Sequence, residues 1–394
     1  MTSTLRKRLA MALGVVTLLT AEVVPAVAQT AGSSPAEQLR RDTEAIHALG
    51  ISGVQARVIV PDGRESVATS GTADLNTGRP VPSGGYFRMA STSKTLVATV
   101  VLQLEAEGRL SLGDTVDHWL PGVVRGNGND GSRITVRHLL QHTSGIREAL
   151  PGYTTPEEYY QQRHTIYEPE QLVDLAMAQK PEDFLPGKGW AYSNTGYVLL
   201  DMIIQKATGH PAHQEIENRI LRPLGLDQTR WMGTESTLPR PHAQAYQLFG
   251  PGSRVDVTDQ IPVDHENLSW VTTTRDENRF LRALLDGRLL PARQLAKMKR
   301  TVPVSAKVQR LWPGGRYGLG LVERPLTCGG TYWGHEGGDG GYITLNGVTE
   351  GGRRSAVVSM SEARGDSMEH MLEQENAASA LIDHALCAGG PGTP

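Results

Sequence analysis

The sequence has only two cysteines, no long apolar run beyond residue 24, no internal repeat and no surplus of positive charge. Each absence removes a class of function. The 39 basic side chains are offset by 42 acidic ones, for a net charge of -3, and no basic stripe runs along the chain. Nucleic acid and anionic membrane surfaces are therefore excluded as partners. His335-Glu336 opens like the zinc motif H-E-x-x-H, but Asp339 stands where the second histidine must be, so no metal is expected. Gly126 to Gly131 fits G-x-G-x-x-G, but no strand and helix flank it as a dinucleotide site requires, so it reads as a loop. No cofactor is implied, and the chain is expected to act as a monomer.

What is present is an ordinary globular composition, 39% hydrophobic and 21% charged, over 394 residues. That length calls for two regions or one large mixed domain. The N-terminus reads as a secretory signal. Arg6, Lys7 and Arg8 are followed by an apolar stretch from Leu9 to Val24 and then by Ala26-Val27-Ala28, which predicts cleavage after Ala28. Glu22 and Pro25 argue against a retained anchor. Export to an oxidising compartment predicts a Cys328–Cys387 disulfide, worth roughly 4 kcal/mol in the chain-entropy model; two buried free thiols are the alternative.

Residues 29–36 are small and polar and read as disordered. A helix is predicted over 37–49, and a hairpin over 53–60 and 65–70 about the turn Pro61-Asp62-Gly63. Thr92–Glu107 keeps helical spacing through Leu96, Val97, Val100, Val101 and Leu104. From 110 to about 300 only helices and loops are predicted, with helices at 135–141, 156–162, 169–178, 195–208, 212–221, 275–286 and 293–299. Strand signals return at Tyr317–Val322, Gly330–Gly334, Tyr342–Val348 and Ser355–Ser359, before a closing helix at Met368–Leu386. Strands at the two ends must pair with each other. The expected class is α+β: an antiparallel sheet from residues 29–110 and 300–394, with 111–299 an inserted, mainly helical region.

Three short motifs carry chemistry. Ser91-Thr92-Ser93-Lys94 opens the 92–107 helix, where positions three apart share a face, so Ser91 Oγ and Lys94 Nζ can meet. A serine hydroxyl needs a base, and a lysine serves only when neutral. The alternative is a capping serine beside a surface lysine. Tyr192-Ser193-Asn194 precedes the 195–208 helix. A tyrosine beside a lysine can share its protons and an amide can hold a substrate carbonyl, although Ser193 or Asn194 could simply cap the helix. In His335-Glu336-Gly337-Gly338 the glycines let a substrate lie close, and Gly338 can offer an N–H to an oxyanion; the alternative is a glycine-rich turn. His142 reads as a core or helix-end histidine.

In order, spacing and context these motifs resemble the serine D-Ala-D-Ala carboxypeptidase and class C β-lactamase family, over about residues 45–387. The resemblance includes Phe87-Arg88-Met89-Ala90-Ser91, the run from Leu139 to Gly145, Tyr192-Ser193-Asn194 with Gly196-Tyr197, and Tyr317-Gly318-Leu319-Gly320. It implies a nucleophilic Ser91, an acid/base pair Lys94 and Tyr192, a substrate hydrogen bond from Asn194, His335 beside Tyr192, and an oxyanion hole from the Ser91 and Gly338 N–H groups. It also implies D-Ala-D-Ala peptides as substrates and β-lactams as acylating inhibitors. An esterase, an amidase or D-aminopeptidase, a β-lactamase, and a non-catalytic binding protein are the competing readings. Three departures bear on substrate. Val322 stands where such carboxypeptidases carry an arginine for the terminal carboxylate. Glu336 replaces a hydroxyl residue. Ser269-Trp270-Val271-Thr272 lacks the usual small residues. Either Arg324 or another arginine turns inward to neutralise Glu336, leaving room for the substrate's carboxylate and for D-Ala-D-Ala activity, or the site prefers an ester, an amide or a cationic amine.

Overall fold

In the computed structural model the described residues are 34–388. The predicted signal segment, most of the stretch read as disordered and the expected cleavage point lie outside them.

Strands from the two ends of the chain build one ten-stranded antiparallel sheet. Its order is Val302–Pro303, Arg316–Tyr317, Val322–Pro325, Thr331–Gly334, Tyr342–Thr349, Ser355–Met360, Gly53–Ile59, Glu65–Asp74 and Arg79–Pro80, with Gly337–Asp339 pairing separately onto Tyr342–Thr349. The Gly53–Ile59 strand is buried on both faces, and its alternation sorts them. Val54, Ala56 and Val58 join Leu39, Ile46, Leu381 and Ile382 of the terminal helices Pro35–Ala48 and Met368–Cys387 in one apolar cluster. On the same strand, the Arg57 carbonyl accepts from Asn278 of the helix Thr274–Leu285. Cys328, in the loop after Val322–Pro325, is bonded to Cys387 at the end of the last helix.

The larger core surrounds the helix Lys94–Ala106. Leu96, Val97, Val100, Val101 and Leu104 are each at most 1% exposed, and Ala98 and Leu102 on the other sides are as deeply buried. A helix apolar all round belongs inside the protein, and this one fixes the residues at its start.

Several sequence expectations need correction. Ser34 and Glu37 form a reciprocal capping box, so the first helix starts at Pro35 and residues 34–36 are ordered structure. The central helix begins with a 3₁₀ turn at Ala90–Ser93 and becomes α-helical at Lys94. Tyr317–Val322 is two strands, Arg316–Tyr317 and Val322–Pro325, folded back on each other. The cause is Gly318-Leu319-Gly320. Gly320 has φ of 69°. A Cβ on Gly318 would lie 2.3 Å from the Met298 carbonyl oxygen. Only glycine meets both demands without strain. The middle of the chain also holds short strands, Trp270–Thr272 among them, too brief to show alternation. Gly126–Gly131 belongs to a small hairpin of Arg125–Gly126 with Asn129–Asp130 rather than a free loop.

Candidate active site

The turn that presents Ser91 is strained and heavily braced. Ala90 has φ of 50°. This left-handed conformation costs a non-glycine residue energy and persists only where the surroundings enforce it. Here Ser93 Oγ donates to the Ala90 carbonyl at 2.7 Å and to Asn267 Oδ1 at 3.1 Å. The Met89 N–H donates to the Trp270 carbonyl at 2.8 Å. Trp270, large where the resemblance expects small residues, is fully buried and belongs to this support. One residue earlier, the buried Arg88 guanidinium donates to the carbonyls of Ser236, Thr258 and Gln260. Opposite, Gly337 lies so close to the turn that a Cβ would sit 2.4 Å from the Met89 carbonyl oxygen. Gly337 is thus required by close approach. Gly338 is less constrained, its nearest neighbour for a Cβ being the end of the Ile343 side chain.

Lys94 Nζ donates to Ser91 Oγ at 3.1 Å, as the three-residue spacing predicts. The lysine is fully buried, with Nζ 5.4 Å and 5.3 Å from the ring centres of Tyr192 and Tyr197. Ser91, Tyr192, His335, Glu336, Gly337 and Gly338 line one pocket of about 440 Å³. That volume is within the range of small-molecule sites. Asn194 is not among the residues lining it. It occupies the cap position of the helix Thr195–Thr208 without a side-chain cap bond, and its Oδ1 is buried with no hydrogen-bond partner among the described residues.

Beneath the pocket runs a hydrogen-bonded chain whose proton positions follow from its ends. The Ser193 N–H donates to His142 Nδ1 at 3.2 Å. The other nitrogen of a neutral His142 therefore carries the proton. That Nε2–H donates to the Tyr317 oxygen at 3.1 Å. Tyr317 O–H then donates to His335 Nε2 at 2.8 Å, and His335 Nδ1–H donates to the Glu336 carbonyl at 2.7 Å. Burial, aided by the Lys94 charge, pushes His335 down to about 3 and His142 well below the usual histidine range. Both rings are neutral at neutral pH. His335 is therefore a fixed, neutral group beside Tyr192, with ring centres 6.5 Å apart. Sequence reasoning does not single out Tyr317 as a site residue; its place between the two histidines is set by long-range folding.

The expected departure at Glu336 has a structural answer. Arg324 Nη1 lies 2.6 Å from Glu336 Oε1 and 3.0 Å from Glu375 Oε1. Trp312 Nε1 donates to the second oxygen of Glu336. Burial, followed by the nearby Glu375, pushes the Glu336 carboxyl well above its usual range, against the pull of Arg324. Val322 is buried against Trp190, Trp312 and Tyr317 and does not line the pocket. Arg324 does not line the pocket; the arginine that does, Arg364, is paired with Glu373 at 3.2 Å.

Two buried carboxyls brace the site from behind. Glu277 accepts from Asn346 Nδ2 at 2.6 Å, and Asn346 Oδ1 accepts from the His335 N–H at 2.8 Å. Asp264 caps the short helix that carries Asn267. Burial raises each carboxyl to about 7, opposed for Asp264 by Lys94 and for Glu277 by its hydrogen bond from Asn346. A carboxyl raised in the fold stays protonated there while the unfolded chain ionises. The folded state then binds more protons between about pH 4 and about pH 7, and stability falls as pH rises through that window. Asp264→Asn keeps a cap oxygen and should stabilise the protein by about 2 kcal/mol more at about pH 8 than at about pH 5 in urea denaturation. An equal effect at both pH values would mean that Asp264 is ionised in the fold throughout.

The family model for beta-lactamase matches residues 39–381. The chain belongs to the beta-lactamase family. It is a serine hydrolase of the penicillin-recognising type, and its antiparallel sheet with flanking helices is the fold of that family. It is 30% identical to penicillin-binding protein 4* of Bacillus subtilis (strain 168) over 335 residues, 80% of this chain and 68% of that one. It is 35% identical to esterase EstB of Burkholderia gladioli over 177 residues, 42% of this chain and 43% of the esterase. Among solved structures, a D-stereospecific amidohydrolase from a Streptomyces species superposes with a TM-score of 0.77 at 38% identity, covering 86% of this chain and 98% of that one. The D-amino acid amidase of Ochrobactrum anthropi SV3, complexed with L-phenylalanine amide, gives 0.75 at 25% identity, covering 89% and 98%. Among the described residues no helix is long and apolar enough to cross a membrane.

Proposed function

We propose that this beta-lactamase-family protein is an exported amide hydrolase working through a Ser91 acyl-enzyme on short substrates with a D-configured acyl residue. Lys94, in its neutral form, takes the Ser91 proton as Oγ attacks the substrate carbonyl. The N–H groups of Ser91 and Gly338 hold the resulting oxyanion, and Tyr192 delivers a proton to the leaving nitrogen as the C–N bond breaks. Lys94 passes its proton on to Tyr192. Water then attacks the ester carbonyl, its proton passes through Tyr192 and Lys94 to Oγ as the C–Oγ bond breaks, and the carboxylic acid leaves with Ser91 and both bases restored. Asn194, whose buried Oδ1 has no partner among the described residues, is assigned the hydrogen bond to the substrate amide, which requires its side chain to turn into the pocket on binding. Lys94→Ala and Tyr192→Phe should each slow acylation by roughly 100-fold or more, as loss of a positioned acid or base does. Wild-type burst kinetics in either variant would remove that residue from the mechanism.

The observation that carries the substrate reading is the commitment of Arg324 to Glu336 and Glu375. Arg324 does turn inward, but it is shared by two carboxyls and does not line the pocket, so neutralising Glu336 does not leave it free to receive a terminal carboxylate, and such a substrate is disfavoured. A neutral amide terminus meets no such repulsion. The likeness to a D-stereospecific amidohydrolase and to a D-amino acid amidase supports the same class and supplies the D configuration. D-Alanyl-D-alanine carboxypeptidase action is the second reading, favoured by the likeness to penicillin-binding protein 4*.

One comparison separates them. A D-Ala-D-Ala peptide and its C-terminal amide are hydrolysed side by side, together with D- and L-alanine p-nitroanilide. The amide forms and the D-anilide should be preferred; a preference for the free-carboxylate peptide would favour the carboxypeptidase. Glu336→Thr, which leaves Arg324 with one carboxylate partner in place of two, should raise kcat/KM for the free-carboxylate peptide relative to its amide by about tenfold. An unchanged ratio would show that Glu336 does not sense the substrate's terminus.

A further inference from the structure

The helix Thr274–Leu285 carries Arg275, Arg279 and Arg282 at spacings of four and three residues, which puts them on one face. With Arg288 beyond the helix end, they line a surface groove of about 360 Å³. The rest of its wall is Leu224 and, from the first hairpin, Ile59, Gly63 and Glu65. None of these residues lines the pocket around Ser91.

The partners of the four guanidiniums leave much of their charge uncompensated. Arg279 donates to the carbonyls of Leu224 at 2.8 Å and Gly225 at 3.0 Å. Its one carboxylate neighbour among the described residues is the buried Asp276, 3.8 Å away. Arg282 donates to the carbonyls of Ile59 at 3.3 Å and Val60 at 3.1 Å, neutral acceptors that fix the side chain without cancelling its charge. Arg288 pairs with Asp286 at 2.8 Å. Arg275 makes no hydrogen bond or ion pair to any described residue. Glu65 is the one carboxylate among the lining residues, and Arg57 already neutralises it. Burial lowers the Arg282 pKa from its ordinary value; Asp286 opposes the shift and the neighbouring Arg288 charge adds to it, as expected where like charges are gathered.

We infer that this groove binds a phosphate-bearing ligand through a diphosphate-like group spanning Arg275, Arg282 and Arg288. Guanidinium forks match phosphate oxygens in pairs, and two tetrahedral centres present acceptors to donors on several sides at once. A single carboxylate would occupy one fork and leave the others unmatched. The ligand is either a free diphosphate or a unit of a phosphate-repeat polymer. The reading does not depend on the chemistry proposed for Ser91.

The test is calorimetric titration of the full chain at about 0.15 M NaCl, where diffuse surface attraction is screened. Inorganic pyrophosphate and long-chain polyphosphate are the two phosphate arms, and citrate is the control. Saturable binding of at least one phosphate arm is expected, at least tenfold tighter than citrate and at least tenfold weaker in Arg275→Gln/Arg288→Gln. Pyrophosphate binding identifies the free ligand as sufficient; binding of the polymer alone identifies the repeat. Amide hydrolysis should be unchanged in the double variant. Should that variant fail to melt cooperatively, Arg275→Gln alone, which removes no internal contact, must still weaken binding. No saturable binding in either phosphate arm, equal binding of citrate, or equal affinity in the variants would overturn the inference.

Discussion

Ser91→Ala should lower kcat/KM for amide hydrolysis by about 10⁴-fold or more and abolish covalent labelling by penicillin-type probes. Loss of a nucleophile removes the two-step route altogether, and what remains is the catalysis that binding and oxyanion stabilisation give to direct attack by water. The two other hydroxyls of the turn are already engaged. Ser93 is fully buried and donates within the turn, to the Ala90 carbonyl and Asn267. Thr92 Oγ1 donates to the Met89 carbonyl at 2.9 Å. Persistent labelling of the alanine variant, mapped to either residue, would move the nucleophile and with it the role of Lys94.

Arg324→Leu should destabilise the fold by about 3–5 kcal/mol, because it strands two carboxylates that share one buried cation. The arginine is 8% exposed, and both of its ion pairs are at hydrogen-bonding distance. The loss should shrink at low pH. Glu336 is already pushed toward its protonated form, and without Arg324 nothing holds its charge. A protonated Glu336 can donate to its neighbour where an ionised one repels it. Adding Glu336→Gln to the leucine variant should therefore recover part of the stability, read as the shift in the urea midpoint. A loss below about 1 kcal/mol at neutral pH would mean that the network is hydrated and behaves as a surface pair.

The features legible in the sequence are those set by local spacing. The three-residue step from Ser91 to Lys94 fixes their contact once a helix starts there, and the apolar spacing from Leu96 to Leu104 is that helix. The closing helix and the hairpin of 53–60 and 65–70 are readable in the same way, although its second strand runs on to Asp74. What escapes a sequence reading is set by residues far apart in the chain. Glu375 reaches the site from the last helix, and no local pattern joins it to Arg324 and Glu336. Tyr317 links His142 to His335 only because its strand folds back at Gly318 and Gly320, where the sequence predicts an unbroken strand to Val322. The mean charge likewise hides the arginines of residues 275–288. The helix gathers Arg275, Arg279 and Arg282 on one face, while Asp276 and Glu277 are buried and Asp286 is paired with Arg288. The left-handed backbone at Ala90 has no signature at all, since alanine rarely adopts it.

The most direct test of the account is to catch the acyl-enzyme. Wild-type protein is mixed with a slowly turned-over acyl donor such as benzylpenicillin, quenched in acid, weighed intact and then mapped by peptide mass spectrometry. The predicted result is a single added acyl group on the peptide holding Ser91, absent from Ser91→Ala and slow to form in Lys94→Ala. An adduct on any other residue, or hydrolysis of amides with burst-free kinetics in a protein that never carries an acyl group, would contradict it.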